Sequence, residues 1–143
     1  MLPWLALSII LTMIKKELFV FTVAGFQGVR IAGFIVLGLG LIFYLITVRG
    51  LLKGLKETKL MTTGGYFLCQ NPLYASLILL IIPGISLTLN SWLILTTSVM
   101  GFIMFKLYIK SEYTELERIF GESYQQYKRE TPEFFPFPIK KLF

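Results

Sequence analysis

The chain has 143 residues, of which 55% are hydrophobic and 15% aromatic, and its formal net charge is +6. A soluble domain of this size cannot bury so much apolar surface, so the composition excludes an ordinary soluble protein and predicts an integral membrane protein. The absence of histidine and the single cysteine, Cys69, exclude an intrachain disulfide, zinc chemistry and Ser-His-Asp catalysis. No metal site is expected.

The N-terminal residues 2–14 form an apolar run that is shorter than a usual membrane span and is followed at once by Lys15 and Lys16. The run has neither the basic start nor the small-residue cleavage site of a signal peptide. We therefore expect it to stay in the mature protein as a short or tilted helix. Whether it crosses the membrane is left open.

Two uncharged stretches follow. Residues Ile31 to Val48 are enough to cross about 30 Å of hydrocarbon as a helix. Residues 60–105 are enough for two passes, with the turn-forming sequence TLNS at 88–91 in the middle. A tight helical hairpin of about 72–88 and 92–110 is predicted. The expected fold is one all-α domain over residues 1–143, a multi-pass bundle of about four membrane helices.

The last membrane helix is expected to continue out of the membrane as a cytoplasmic helix. Glu112, Leu116, Phe120 and Tyr124 recur every four residues and so share one helical face. Gly121 is a candidate break or kink. The proline- and aromatic-rich tail, residues 131–143, is predicted to be an extended segment that lies on the membrane interface.

Basic residues flank the apolar segments in two clusters. One follows the second segment and the other follows the fourth: Arg49, Lys53, Lys56 and Lys59, then Lys106, Lys110, Arg118, Lys128, Arg129, Lys140 and Lys141. An even number of passes puts both clusters on one side, the cytoplasmic side by the positive-inside rule, of the cell membrane if the protein is prokaryotic. Lys15 and Lys16 would then lie outside, against the rule. The charge indicates anionic membrane lipids as partners rather than nucleic acid.

Two motifs carry polar and aromatic residues at the ends of apolar segments. The first reads GGYFLCQNPLY over residues 64–74, and the second starts at Glu112 and ends with FGESYQQY over residues 120–127. Between Lys59 and Lys106 no residue is charged. The motifs therefore mark the membrane edges and indicate a site at the membrane surface.

Each part of these motifs also has an ordinary structural explanation. Asn71 and Pro72 suit the start of a helix. Tyr66 and Tyr74 suit an interfacial belt of aromatic residues. Glu112 suits an exposed turn beyond the membrane. The two motifs in combination, with the uncharged hairpin between them, are more informative than any of these residues alone.

In the order of four features, the sequence resembles the isoprenylcysteine carboxyl methyltransferase and phospholipid methyltransferase superfamily. The four features are TTGGYFLCQNPLY, the uncharged hairpin, ExxxLxxxFGxxYxxY and the aromatic tail. Those membrane enzymes typically carry a GPYRYxRHPxY-like segment before a helical hairpin and an EE-L-FG-Y-Y segment after it. The resemblance covers about residues 60–137. It implies methyl transfer from S-adenosylmethionine to a lipophilic acceptor, without choosing between a prenylcysteine carboxylate, a lipid amine and a thiol.

Carried over position by position, the resemblance implies an S-adenosylmethionine pocket lined by residues of the first motif: Tyr66, Asn71, Pro72, Leu73 and Tyr74. Glu112 would close this pocket and act as the catalytic residue, by holding the amino group of the cofactor or by helping to remove a proton from the acceptor. Tyr124 and Tyr127 would pack over or near it. A carboxylate, aromatic faces and amide groups suit a cationic sulfonium that carries an adenine ring.

The chain departs from the superfamily pattern at five positions. Gly65 replaces a proline, and Phe67 and Gln70 replace two arginines. Asn71 replaces the histidine, and Tyr113 replaces the second glutamate. Because asparagine cannot titrate, an acid-base role at this position is lost. The departures leave an inactive or divergent member as an open alternative.

Two other classes of membrane protein are alternatives. A non-enzymatic multi-pass protein, such as a small multidrug exporter, commonly relies on a carboxylate within the membrane, and none lies in the predicted spans. A sterol-reductase-like protein that binds NADPH shares a similar C-terminal pattern, but this chain is short for that fold.

Overall fold

The structure, a computed structural model, describes residues 1–21, 26–57 and 59–136. Over these ranges the chain is helical, with no strand. Three helical segments are long and apolar enough to span a membrane: Gln27–Glu57, Pro72–Leu89 and Trp92–Phe120. The all-α prediction is confirmed, and the three segments are those expected of an integral membrane protein.

The helices over the described ranges are, in chain order, α1 (Leu2–Ile14), α2 (Phe26–Glu57), α3 (Gly65–Leu68), α4 (Pro72–Ala75), α5 (Ile82–Leu89), α6 (Trp92–Phe120) and α7 (Glu122–Glu130). A widened π-helical turn, Ser76–Ile81, joins α4 to α5. Pro83 lies at the start of α5 and has no N–H to donate to the preceding turn, which explains why the winding widens there.

The hairpin predicted at about 72–88 and 92–110 is present. Its first arm ends at Leu89, and Asn90 turns the chain in the left-handed conformation, with φ 52° and ψ 50°. Asparagine adopts this conformation more readily than other residues with a side chain. The second arm, α6, runs without interruption to Phe120, as the periodicity of the sequence predicted.

Gly121 ends α6, which confirms the predicted break. Its φ of 54° and ψ of −127° belong to a region that glycine adopts and residues with a Cβ avoid. A Cβ added to Gly121 would meet nothing within 4 Å. The backbone conformation, rather than close packing, is therefore what requires glycine here, and it lets the chain restart as α7.

The described residues form two compact units. The first is made from Met1–Leu41 and Leu77–Phe105, and the second from Ile42–Ser76 and Lys106–Phe143, each over its described part. Helices α2 and α6 each contribute to both units. Both sequence motifs belong to the second unit.

In the first unit, α2 and α5 approach closely at two glycines. A Cβ on Gly33 would come within 2.6 Å of the Thr88 backbone nitrogen, and one on Gly84 within 2.7 Å of the Leu37 backbone nitrogen. Small residues at such points let two helices pack backbone to backbone, as is common between membrane helices.

Helix α1 also belongs to the first unit, and hydroxyl groups hold it on α6 and on Ser91, the residue directly before α6. Thr12 Oγ1 lies 2.7 Å from Ser91 Oγ, and the Trp4 indole donates to Thr96 Oγ1 at 3.1 Å. Ser8 and Thr12 are buried, whereas the apolar side chains of Leu7 and Ile10 are exposed. The prediction of a short helix at residues 2–14 is confirmed. Its polar side faces the protein and its apolar side faces outward, as suits a lipid environment.

The predicted tail is described over residues 131–136. The backbone there is irregular, as the prolines predicted, but Thr131 and Phe134 are only 3% exposed. The Gln70 backbone N–H donates to the Pro132 carbonyl at 2.9 Å. This stretch therefore packs on the rest of the second unit, and its location at the membrane interface stays a prediction. The rest of the predicted tail, residues 137–143, and with it the end of the motif-bearing core, lies outside the described residues.

Candidate functional site

Gly65 sets the position of the first motif. A Cβ at this residue would lie 2.1 Å from Thr47 Oγ1 and 3.0 Å from Pro72 Cβ. No side chain fits in that space without displacing α2 or α4, and a proline ring fits less well still. The close approach gives a physical reason for the departure from the proline of the superfamily pattern.

Asn71 occupies the position before α4, with Pro72 as the first residue of the helix. Its backbone carbonyl accepts from Ala75 N at 2.9 Å, as a residue at a helix start should, but its side chain caps nothing. The side-chain Nδ2 donates to the Tyr113 hydroxyl and to the Glu133 carbonyl, the latter at 2.9 Å. Asn71 is only 6% exposed, so both bonds lie inside the protein. The helix-start explanation accounts for its backbone and leaves its side chain for another role.

Gln70 fastens the first motif to the chain that follows α7. Its Nε2 donates to the Thr131 carbonyl at 2.6 Å and to the Lys128 carbonyl at 3.3 Å. Its Oε1 is buried and has no hydrogen-bond partner among the described residues. Gln70, which stands at an arginine of the superfamily pattern, thus binds backbone carbonyls in this chain.

Tyr127 links α7 to the first motif. Its hydroxyl donates to the Tyr66 carbonyl at 2.6 Å and to the Cys69 carbonyl at 3.3 Å. Tyr127 is 6% exposed. Burial raises the pKa of Tyr127 above its ordinary value, which keeps the hydroxyl protonated as a donor.

Tyr124 lies beside Tyr127, and Tyr113 lies on its other side. The Tyr124 ring centroid is 6.4 Å from that of each neighbour. Tyr124 is 1% exposed, yet its hydroxyl has no hydrogen-bond partner among the described residues. Burial, followed by the negative charge of Glu117, raises the pKa of Tyr124 to about 12. A buried, protonated hydroxyl without a partner is an available donor for a ligand.

Glu112 lies on α6 with its side chain exposed. It is close enough to act electrostatically on Tyr66 and Tyr74 of the first motif. Burial, followed by the charge of Glu112, raises the pKa of Tyr66 to about 12. Tyr66 is half-buried and Tyr74 is exposed, so both rings are accessible within the electrostatic range of this carboxylate.

The structure therefore separates the expected site residues into two groups within the second unit. Asn71, Pro72, Tyr124 and Tyr127 are buried and join the two motifs. The more accessible group consists of Tyr66, Leu73, Tyr74 and Glu112. The first group forms the framework, and the second group presents the surface that a ligand can reach.

Two ion pairs of this region were missed by the sequence analysis, Lys106 with Glu133 and Lys128 with Glu117. The Glu133 carboxylate accepts from the Tyr113 hydroxyl at 3.3 Å and forms an ion pair with Lys106. The Lys128 ammonium lies 5.3 Å from the Tyr113 ring centroid and 3.1 Å from the Glu117 carboxylate. Nothing in the local sequence indicates these pairs, because the partners come from distant parts of the chain. Most acidic residues of the chain lie between residues 112 and 133, which is the one signal in the sequence that could have indicated the two carboxylates.

Comparison with known proteins adds one relative. Over the described residues, no group of three His, Cys, Asp or Glu side chains comes together as a metal site. No family model and no solved structure matches the chain. The nickel-cobalt-cadmium resistance protein NccN of Alcaligenes xylosoxydans xylosoxydans is 35% identical over 85 residues, which are 59% of this chain and 39% of that protein. The chain thus spans well under half the length of this relative, and the methyltransferase resemblance stays a prediction.

Proposed function

We propose that this protein is an integral membrane methyltransferase that uses S-adenosylmethionine to methylate a lipophilic acceptor. The observation that carries the proposal is the meeting of the two motifs. Tyr127 donates to the Tyr66 carbonyl across 61 residues of sequence, and Asn71 donates to Tyr113 across 42. A scaffold that needed only to cross the membrane would not require these polar and aromatic groups to meet. Their meeting supports a shared site.

The residues present fit a sulfonium cofactor. Tyr66 and Tyr74 offer aromatic faces beside the Glu112 carboxylate, which is the combination that binds organic cations. The buried hydroxyl of Tyr124 has no partner in the described chain and can donate to a polar group of the ligand. When bound, S-adenosylmethionine supplies a methyl group activated by its positive sulfur.

The chain itself has few chemical steps to perform. Glu112 would hold the ammonium group of the cofactor or accept a proton from the acceptor. The apolar faces around the site would exclude water and keep a lipophilic acceptor in line with the methyl group. The loss of a titrating histidine at Asn71 is compatible with this chemistry, because the group that leaves is a neutral thioether.

The proposed membrane arrangement has four helical segments, with α1 as the first and both motifs on the cytoplasmic side. The hydroxyl contacts of α1 with α6 support its place among the membrane segments. The acceptor would then enter from the bilayer, as a prenylcysteine carboxylate, a lipid amine or a lipophilic thiol. Anionic lipids would neutralise the basic flanks of this side.

The test is transfer of labelled methyl groups from S-adenosylmethionine by purified protein in lipid nanodiscs. A total lipid extract, a prenylcysteine and a small lipophilic thiol are offered as separate acceptors. The proposal predicts transfer to one of them, at least about tenfold reduced in Glu112→Gln. Glu115→Gln removes a neighbouring exposed carboxylate of the same helix, which is paired with Arg118, and should leave transfer intact. Absence of transfer to all three by folded protein would contradict the proposal.

The NccN similarity suggests a second, non-enzymatic candidate, a small membrane protein that contributes to metal resistance. The two candidates make different predictions for a metal-sensitive host that expresses the chain and grows on nickel, cobalt or cadmium. Resistance that disappears together with methyl transfer in Glu112→Gln favours the methyltransferase. Resistance that is equal in the wild type and Glu112→Gln favours the non-enzymatic protein.

A further inference from the structure

Glu133 holds two residues of the candidate site at once. Its backbone carbonyl accepts from the Asn71 side chain at 2.9 Å, and its carboxylate accepts from the Tyr113 hydroxyl at 3.3 Å. Asn71 and Tyr113 are in turn bonded to each other. The three residues close a ring of hydrogen bonds that joins the start of α4, the middle of α6 and the segment after α7.

The ring is fixed in place from both of its sides. On one side Lys106 of α6 pairs with the Glu133 carboxylate. On the other side Gln70 binds the carbonyls of Thr131 and Pro132, directly before Glu133. Glu133 is thus held in one place although it follows the last helix. The residues that hydrogen-bond to Glu133 lie 20 to 62 residues away from it in the sequence.

The Glu133 carboxylate contacts Tyr113, the residue that stands where the superfamily pattern has its second glutamate. Tyr113 directly follows Glu112, and its hydroxyl donates a hydrogen bond to the Glu133 carboxylate. The negative charges of Glu112 and Glu133 both act on the hydroxyl of Tyr124, after the larger effects of burial and Glu117. Both carboxylates therefore lie near the same buried tyrosine.

We propose that Glu133 is a positioning residue of the candidate site, which holds Asn71 against Tyr113 and brings a second carboxylate to the site through the Tyr113 hydroxyl. Its effect on the framework stands on the hydrogen bonds alone, whereas its effect on cofactor affinity rests on the proposed function. The two effects can be measured separately.

The framework is tested through Cys69, the only cysteine of the chain. Cys69 is fully buried, and its thiol accepts a hydrogen bond from the backbone N–H of Asn71. Its labelling rate with a maleimide therefore reports how often the segment around Asn71 opens. In nanodiscs, Glu133→Ala should label about threefold to tenfold faster than the wild type, because it removes the carboxylate that binds Tyr113 and Lys106 while it keeps the backbone carbonyl that accepts from Asn71.

Two further variants make the framework test specific. Glu130→Ala removes an acidic residue whose side chain is bonded to Gln126, outside the ring, and should label at the wild-type rate. Tyr113→Phe should label faster, and the double variant Glu133→Ala/Tyr113→Phe no faster than the quicker single variant, since both break one ring. Wild-type labelling in Glu133→Ala, or effects that multiply in the double variant, would overturn the inference.

A second experiment measures the affinity of the same variants for S-adenosylmethionine. Glu133→Ala should weaken binding about threefold to tenfold while the protein still unfolds in one cooperative transition. Tyr113→Glu in the Glu133→Ala background should restore part of the affinity by returning a carboxylate to position 113. If the wild type does not bind, the proposed function fails and the labelling of Cys69 still decides this inference. If the wild type binds and Glu133→Ala binds equally well, the positioning role is wrong while the proposed function stands.

Discussion

Asn71 donates a hydrogen bond from its side-chain amide to the hydroxyl of Tyr113, 42 residues further along the chain. Both residues differ from the histidine and the second glutamate of the methyltransferase pattern that the sequence resembles. The two departures therefore meet in one contact between the start of α4 and the middle of α6. An amide cannot titrate, so this contact supports the framework without acid-base chemistry.

The hydroxyl of Tyr127 should contribute measurably to stability. Tyr127→Phe removes the bond to the Tyr66 carbonyl, at 2.6 Å, and the bond to the Cys69 carbonyl. We expect the free energy of unfolding to fall by about 1–2 kcal/mol, because buried carbonyl groups lose their donor. Denaturant unfolding in detergent measures the change. Tyr108→Phe alters an exposed tyrosine of α6 and should change stability by less than about 0.5 kcal/mol. Equal effects of the two variants would contradict the role of Tyr127.

Gly65 should not tolerate a side chain. In Gly65→Ala the new Cβ would lie 2.1 Å from Thr47 Oγ1, so α2 or α4 has to move. We expect a loss of about 1–3 kcal/mol of stability. Gly38→Ala is the matched control, because a Cβ there meets nothing within 4 Å and alanine favours the helix.

A second substitution tests the cause of the loss at Gly65. Thr47→Ala removes the closest atom and should restore part of the stability of Gly65→Ala. An unchanged unfolding midpoint in Gly65→Ala alone would show that the close approach is not required.

The protein should lose stability at alkaline pH. Burial raises the pKa of Cys69 from 9.0 to about 12, against the opposing effect of the Asn71 backbone N–H, and burial also raises the pKa of Tyr66 and Tyr124 from 10.0 to about 12. A raised pKa in the folded state means that the stabilising contribution is complete below the unfolded pKa and is lost as the pH rises toward the folded pKa. The unfolding midpoint should thus be constant from about pH 7 to about pH 9 and fall above that range.

The contribution of Cys69 to this alkaline loss can be isolated. Serine at this position does not ionise in the same range, so the midpoint of Cys69→Ser should begin to fall at a higher pH, nearer the ordinary pKa of tyrosine. A midpoint that rises above about pH 9, or an identical onset in the variant, would contradict the assignment.

The apolar part of the fold could be predicted from the sequence for a physical reason. A bilayer imposes a minimum length and a lack of charge on each span, so hydropathy and the TLNS turn indicated the apolar parts of the helices at Gln27–Glu57, Pro72–Leu89 and Trp92–Phe120. The extension of the first of these helices beyond Ile31–Val48 was not predicted. The turn at Asn90 and the break at Gly121 were indicated by residue type, because each residue adopts a conformation that few others tolerate.

The polar part of the fold could be predicted only in outline. The resemblance singled out Asn71, Tyr124 and Tyr127, but not that the Asn71 side chain would bind Tyr113 instead of capping α4. The packing of Thr131, and the ring closed by Glu133, depend on where the chain returns after α7. The periodicity of the local sequence does not indicate where the chain packs after α7. The packing of residues 131–136 on the protein was therefore not predicted.

The proposed topology places both motifs on one side of the membrane. In a Cys69→Ser background, single cysteines at Thr62 and Glu122 should both react with an impermeant maleimide from the cytoplasmic side, and a cysteine at Lys16 only from the other side. These three positions are exposed, so burial does not limit the reaction. Labelling of the Thr62 and Glu122 positions from opposite sides would contradict the even number of passes between them.

The central claim, a cofactor site built from both motifs around Glu112, is tested most directly by calorimetric titration of the purified protein with S-adenosylmethionine and S-adenosylhomocysteine. The account predicts saturable binding by the wild type and by Glu115→Gln, and binding weakened at least about tenfold in Glu112→Gln, which loses the charge beside Tyr66 and Tyr74. No binding by folded wild-type protein, or equal binding by wild type and Glu112→Gln, would contradict it.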